Sequence, residues 1–205
     1  QKTAWADGRF RLNASAYRYD IEDYQAQVFL TVETGSVITN AGDVTGVGAE
    51  LEFTARVTDN FELIAGLGLL DTEFSSNQVF NVAGDTYTLD GNELPSAPSA
   101  NTNLVARYYI GLGNAGELAL QADYTWQGDH FLQIENDPYS QQEAYGLGNA
   151  KVSWHSMTGE YVVEAFVRNL ADKEYYTYQN TLGSDWGYGV WGMPRTYGAK
   201  FSWNM

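Results

Sequence analysis

Apolar and polar residues alternate along this chain with a period of two. From Val47 to Val57, Val47, Ala49, Leu51, Phe53, Ala55 and Val57 fall on one face, and Gly46, Gly48, Glu50, Glu52, Thr54 and Arg56 on the other. Successive side chains of a strand point to opposite sides, so one face suits lipid and the other water. The stretch is as long as the roughly 9–11 residues a membrane-crossing strand needs. Phe61, Leu63, Ala65, Leu67 and Leu69 repeat the pattern, as do Leu118, Leu120, Ala122, Tyr124 and Trp126. Tyr161, Val163, Ala165 and Val167 oppose Glu164 and Arg168, and Tyr197, Ala199, Phe201, Trp203 and Met205 oppose Thr196, Gly198, Lys200, Ser202 and Asn204. Weaker copies run through Phe10–Ala16, Leu104–Ile110 and Ala150–Trp154. The expected fold is all-β: an antiparallel up-and-down transmembrane barrel, with about eight strands present.

The connections set the orientation. Thr58–Asn60, Gly111–Gly116 and Ser156–Glu160 read as tight turns, whereas those near Glu33–Asn40, Glu73–Pro95, Gly128–Gln142 and Leu170–Pro194 are long. Outer-membrane barrels have short periplasmic turns and long extracellular loops. With the last strand ending in the periplasm, every long loop falls outside and every short turn inside. The longest apolar stretch, Leu63 to Leu70, is broken by glycines and is far short of the roughly 18 residues of a spanning helix. A soluble β-sandwich is the competing all-β fold, but its strands are usually shorter and its connections do not sort by parity.

Charge follows the same division. The chain has 26 acidic and 11 basic residues, a net charge of −15. Arg9, Arg11, Arg56, Arg107, Lys151, Arg168 and Lys200 lie mainly on inward positions or near strand ends, where Arg56, Arg107, Lys151, Arg168 and Lys200 can pair with Glu50, Glu52, Glu62, Asp123 and Glu164. The outer loops and strand tips hold Glu33, Asp43, Asp71, Glu73, Asp85, Asp90, Glu93, Asp129, Glu135, Asp137, Glu143, Asp172, Glu174 and Asp185 against Lys173. Such a rim attracts cations, disfavours anions and argues against nucleic acid as a partner. It also suits divalent cations that bridge lipopolysaccharide. Gly46, Gly48, Gly66, Gly68, Gly146, Gly148 and Gly198 are expected on the inward face, leaving room for a plug or relieving crowding in a narrow barrel. The absence of cysteine is compatible with an oxidising compartment without demonstrating one.

Catalytic chemistry is not evident, and the expectation is that the chain is not an enzyme. Gly111-Leu112-Gly113-Asn114-Ala115-Gly116 satisfies the glycine spacing of a nucleotide fingerprint, but a strand follows it, so it reads as a hairpin turn. His130 and His155 fall near opposite ends of the barrel, too distant to share a metal or a triad. No catalytic residue, metal site or cofactor is expected.

Tyr17, Tyr19, Tyr24, Tyr108, Tyr109, Tyr124, Trp126, Trp154, Tyr161 and Trp203 are read as girdles at the membrane interfaces. The last long loop differs: Tyr175, Tyr176, Tyr178, Trp186, Tyr188 and Trp191 crowd together with Gly183, Gly187, Gly189 and Gly192 outside the girdles. These six aromatics are the candidate ligand contacts, for a sugar ring, an aromatic ligand or an iron chelate. Covering the barrel rim is their alternative role.

Val167-Arg168-Asn169-Leu170-Ala171-Asp172-Lys173-Glu174-Tyr175-Tyr176, then a loop of glycines and aromatics, then Pro194-Arg195-Thr196-Tyr197-Gly198 and an alternating last strand resembles the end of TonB-dependent outer-membrane receptors. Gly46 to Glu52 and Gly91-Asn92-Glu93-Leu94-Pro95-Ser96-Ala97-Pro98 resemble further strand motifs of that family. The resemblance implies the C-terminal portion of a barrel of roughly 22 strands, importing a siderophore, vitamin, haem or carbohydrate. Its implied partners are outer-membrane lipid and lipopolysaccharide, the upstream strands and plug of the same receptor, the TonB system acting through that plug, and a small-molecule ligand. Neither plug nor coupling motif is present in residues 1–205, which read as one barrel segment incomplete at its N-terminal end. Met205 stands where such barrels usually finish on an aromatic. A self-contained eight-stranded barrel with an anchoring or surface-interaction role is the alternative. It would require the first full strand to pair with the last.

Overall fold

The computed structural model describes residues 2–31, 35–76, 79–82, 85–181 and 187–204. Expectations placed on Glu33, Gly183, Asp185, Trp186 and Met205 lie outside them.

Strand β1 (Lys2–Trp5) turns at Ala6–Arg9 into β2 (Phe10–Ile21). A hairpin of β3 (Gln25–Thr31) and β4 (Gly35–Asn40) stands between β2 and the long pair β5 (Asp43–Thr58) and β6 (Phe61–Ser75). A second small hairpin, β7 (Val79–Val82) and β8 (Asp85–Thr88), precedes β9 (Ala100–Gly111) and β10 (Glu117–Gln127). The two-residue strands β11 (His130–Phe131) and β12 (Gln141–Gln142) lead to β13 (Tyr145–His155) and β14 (Tyr161–Arg168). The hairpin β15 (Tyr176–Thr181) and β16 (Gly187–Trp191) comes before β17 (Thr196–Trp203). Strands β1, β2, β5, β6, β9, β10, β13, β14 and β17 form one antiparallel sheet in that order. Eight of these are the strands expected from the alternation, and β1 is the short ninth before the Ala6–Arg9 turn.

The register carries both faces across the sheet. On one side Arg56 lies opposite Glu62, Glu62 opposite Arg107, Arg107 opposite Gln121 and Gln121 opposite Lys151. Glu62 accepts Arg56 at 3.6 Å and Arg107 at 3.8 Å, and Glu164 accepts Lys151 at 3.6 Å and Lys200 at 3.8 Å. The other expected acids find neutral donors: Glu50 meets the Ser15 hydroxyl, Glu52 the Asn13 amide, and Asp123 the amides of Asn149 and Gln121. The Arg168 guanidinium sits 5.3 Å from the Phe166 ring centre instead of on an acid. On the opposite side Leu51, Leu67, Leu69, Leu104, Tyr108, Leu120, Val163 and Phe201 are exposed large apolar groups, as a wall bathed in lipid requires.

Three tyrosines placed in the girdles by sequence face the polar side instead. Tyr17 and Tyr19 pair with Gly48 and Gly46, and a Cβ at either glycine would meet the tyrosine ring at 2.4 or 2.2 Å. Tyr109 reaches Glu62 at 3.4 Å. Conversely, Gly146 and Gly148 sit on the apolar face, paired with Trp126 and Tyr124; the Tyr124 ring lies over Gly146. The reason is phase: Tyr145 and Leu147 are apolar on odd positions, whereas Ala150, Val152 and Trp154 are apolar on even ones. The strand runs through without a bulge, so one set must face the polar side.

The first full strand, β2, is flanked by β1 and β5 and does not pair with β17, nor does β1, among the described residues. The ladder that a self-contained eight-stranded barrel requires is therefore not formed.

Candidate functional site

All four long connections emerge at the end of the sheet opposite the short turns, and they pack together. Ala41, Val44, Phe74, Leu89 and Ile134 are almost inaccessible and form one cluster, with Tyr24, Ala26, Tyr87 and Leu94 against it. Each long connection or strand tip supplies little apolar area by itself, so only their joint burial excludes water. Hydrogen bonds stitch the pieces: Asn92 Nδ2 donates to the Ile134 carbonyl, the Glu93 amide to Asn136 Oδ1, and the Tyr87 hydroxyl to Asp137 Oδ2 at 2.9 Å. Buried His130 is held by the Gly128 carbonyl at 2.9 Å, and no cluster of three metal-ligating side chains occurs among the described residues.

The turn after β14 anchors the last loop. Asn169 and Asp172 adopt left-handed backbone, φ 50° and 54°, which short polar side chains tolerate by bonding locally. Buried Asn169 donates Nδ2 to the carbonyls of Lys173 and Met193 and accepts the Lys173 amide, while Asp172 accepts the Arg195 amide at 2.7 Å. The Asn169, Asp172 and Arg195 of the sequence motif thus tie the two feet of the loop together.

Beside the apolar cluster is a chamber of about 450 Å³, to which every long connection contributes. Tyr24 to Gln27 come from the first, Pro95 from the second, Leu132 to Glu135 from the third, and Tyr178, Asn180 and Tyr188 from the fourth. The β15–β16 pairing sets the last three on one face, since Asn180 opposes Tyr188 and Tyr178 is two residues away. Asn180 Nδ2 donates to the Tyr178 hydroxyl at 2.9 Å. A hydrogen bond with Tyr178 also holds the Tyr188 hydroxyl above the usual phenol range. Burial raises the Glu135 carboxyl above its ordinary value, and the charge of Asp137 adds to the rise.

The six aromatics singled out from sequence divide. Tyr178 and Tyr188 line the chamber. Tyr176 and Trp191 stack on each other within the β15–β16 hairpin, ring centres 3.9 Å apart, and Tyr175 stacks on Tyr145 of β13 at 4.6 Å over Gly192, holding the foot of the hairpin to the sheet. Trp186 lies outside the described residues. Gln25, Gln27, Gln133 and Glu135 were not foreseen as a group, because they come from connections distant in sequence and carry no motif.

A family model described as TonB dependent receptor-like, β-barrel, matches residues 2–170. The ferrioxamine receptor of Yersinia enterocolitica is 29% identical over 173 residues, covering 80% of this chain and 21% of the receptor. The ferric yersiniabactin uptake receptor FyuA from Yersinia pestis superposes with a TM-score of 0.79 at 21% identity, over 98% of this chain and 28% of that one. The copper transporter OprC superposes with a TM-score of 0.73 at 17% identity, over 98% of this chain and 30% of that one. The chain thus spans roughly a fifth to a third of the length of these relatives.

Proposed function

The chain belongs to the TonB-dependent receptor family as part of its β-barrel, and from that premise we propose that it forms the C-terminal wall and outer chamber of a bacterial outer-membrane importer of a scarce nutrient, of the ferric siderophore class. The observation that carries this reading is the convergence of four sequence-distant connections on one chamber at the outer end of the sheet. A purely structural rim would need only the apolar cluster. The chamber instead joins aromatic rings to carboxamides and one acid, the mixed lining typical of small-molecule sites.

In this reading the polar face of the sheet borders a plug, and further strands of the same receptor complete the barrel at the open edges. Lipid and lipopolysaccharide contact the apolar face and outer tips. Energy arrives from TonB acting on the plug, and the family's members are transporters, so no bond-making step is assigned to any residue here. Among the named relatives, siderophore receptors stand beside a copper transporter, and the acidic rim is compatible with either cargo. Iron-complex import is favoured because the chamber offers amides and phenols that can hydrogen-bond to a chelate.

The test is replacement of Tyr178 and Tyr188 together by Ala in the full receptor, in a strain dependent on it for iron. Uptake of the ferric complex is expected to fall at least about tenfold while the barrel still assembles and migrates as a folded species. Unchanged uptake would remove the chamber from the import path.

A further inference from the structure

Near the short turns, the polar face of the sheet carries two charged triads of the same design. Glu62 of β6 lies between Arg56 of β5 and Arg107 of β9, at 3.6 and 3.8 Å. Glu164 of β14 lies between Lys151 of β13 and Lys200 of β17, again at 3.6 and 3.8 Å. Each triad holds two cations and one anion, so each keeps one positive charge. The carboxylates are the more covered members: Glu62 and Glu164 are 29% and 22% exposed, against 38% to 65% for their cations. What the triads present to the barrel interior is therefore cationic. Gln121 bridges them, standing opposite both Arg107 and Lys151, and its Oε1 accepts Arg107 Nε at 2.9 Å. Arg11, opposite Thr54, and Arg168, opposite Thr196, add positive charge one row farther from the turns. The carboxylate in that row, Asp123, is taken by the amides of Asn149 and Gln121. In a chain of 26 acidic and 11 basic residues, a band this rich in cations is against the general trend, and pairing for stability alone would match charges one to one.

On the reading that this face borders a plug, we propose that the cationic band is the seat of an acidic, carboxylate-bearing segment of that plug. The extent of the band decides between occupants. Glu62 and Glu164 are four strand spacings apart, roughly 20 Å along the sheet, so a small anion reaches one triad and only a protein surface reaches both. A carboxylate arriving at either triad balances its charges and displaces no group already paired, which is the complementarity expected of a docking surface. Pairs this exposed hold through number rather than individual strength, and salt weakens them. The contact thus orients the plug against the wall without fusing the two into one core.

The experiment uses the full receptor in outer-membrane vesicles and a water-soluble carbodiimide, which joins an amine directly to a neighbouring carboxylate as an amide and carries away the water as a urea. Peptides are then read by mass spectrometry. Lys151 or Lys200 is expected to couple to Asp or Glu of the plug, beside an internal link to Glu164 that reports an intact triad. The plug links should fall at least about tenfold when coupling is done in about 1 M salt. Arg107→Gln with Lys151→Gln should accelerate hydrogen exchange in the linked plug segment at least about fivefold while the barrel still migrates as a folded species; the coupling itself needs no variant. Links to Glu164 alone, links to a different polypeptide, or coupling of Glu62 and Glu164 to plug lysines would overturn the assignment, in a receptor whose deletion abolishes iron-limited growth, while leaving the import reading standing. Iron-limited growth unchanged by deletion would overturn the import reading itself, whatever the links.

Discussion

The wall and the cap of this molecule obey opposite burial rules. In the wall, Leu67, Leu104, Leu120 and Phe201 are between 36% and 66% exposed, the arrangement that the proposed lipid-facing side calls for. In the cap, Phe74 and Leu89 are fully buried, as apolar groups are where water is the solvent. Among the described residues, the cluster resembling a soluble protein's core lies at the ends of the strands opposite the short turns, where three of the long connections meet. Exposure has no fixed meaning along such a chain; its meaning changes within a single strand. Strand β6 passes from exposed Leu67 and Leu69 to buried Thr72 and Phe74 in five residues.

The largest expected effect separates the two regions. Phe74→Ala empties the centre of the cap and should cost about 3–5 kcal/mol there, seen as proteolytic cleavage and lost hydrogen-exchange protection in residues 89–99 and 128–142. The wall should still insert. Leu67→Arg is the reciprocal change and should cost about 2–4 kcal/mol if that position lies near the bilayer midplane, read as failed assembly or easier urea unfolding in lipid. The same substitution would be almost silent on a water-facing surface. Asn169→Ala removes three hydrogen bonds at the foot of the last loop and should cost about 1–3 kcal/mol, loosening the β15–β16 hairpin before the wall. Glu62→Gln weakens two half-exposed ion pairs and should cost less than about 1 kcal/mol, detectable only as a small shift in unfolding midpoint that vanishes at high salt.

Glu135 adds a pH signature to the cap alone. Its folded pKa is raised above the ordinary 4.5, so the folded state binds more protons than the unfolded one just above that value. The stability it contributes is present at lower pH and is lost as pH rises through the raised pKa. Hydrogen exchange in residues 128–142 should accelerate over that window, and Glu135→Gln should flatten the dependence.

Legibility in the sequence followed the same boundary. The wall was readable because alternation at period two repeats in strand after strand, and because short and long connections alternate without exception. Phase was readable wherever apolar residues kept to one parity. It failed at Tyr145 and Leu147, where parity switches without a bulge, and at Tyr17 and Tyr19, where a glycine opposite each ring makes a seat on the polar face. The cap was legible only in part. Its hairpins within loops, β3–β4, β7–β8 and β15–β16, are short segments hidden in what reads as long connections. Tyr178 and Tyr188 could be singled out because they are aromatics in a glycine-rich loop. Glu135 and the glutamines could not, because their proximity is created by packing of the apolar cluster, a long-range event with no local sequence pattern.

Single cysteines placed in a full receptor without other cysteines can report directly on the convergence of the first, third and fourth connections. In the full receptor on intact cells, Gln27→Cys, Leu132→Cys and Asn180→Cys would be treated with a membrane-impermeant maleimide, with and without a ferric complex that the receptor imports. The account predicts labelling from outside at all three positions and protection of all three at the same concentration of complex. Labelling only after the cells are permeabilised, or protection of one position without the others, would contradict a single outer chamber shared by these three loops.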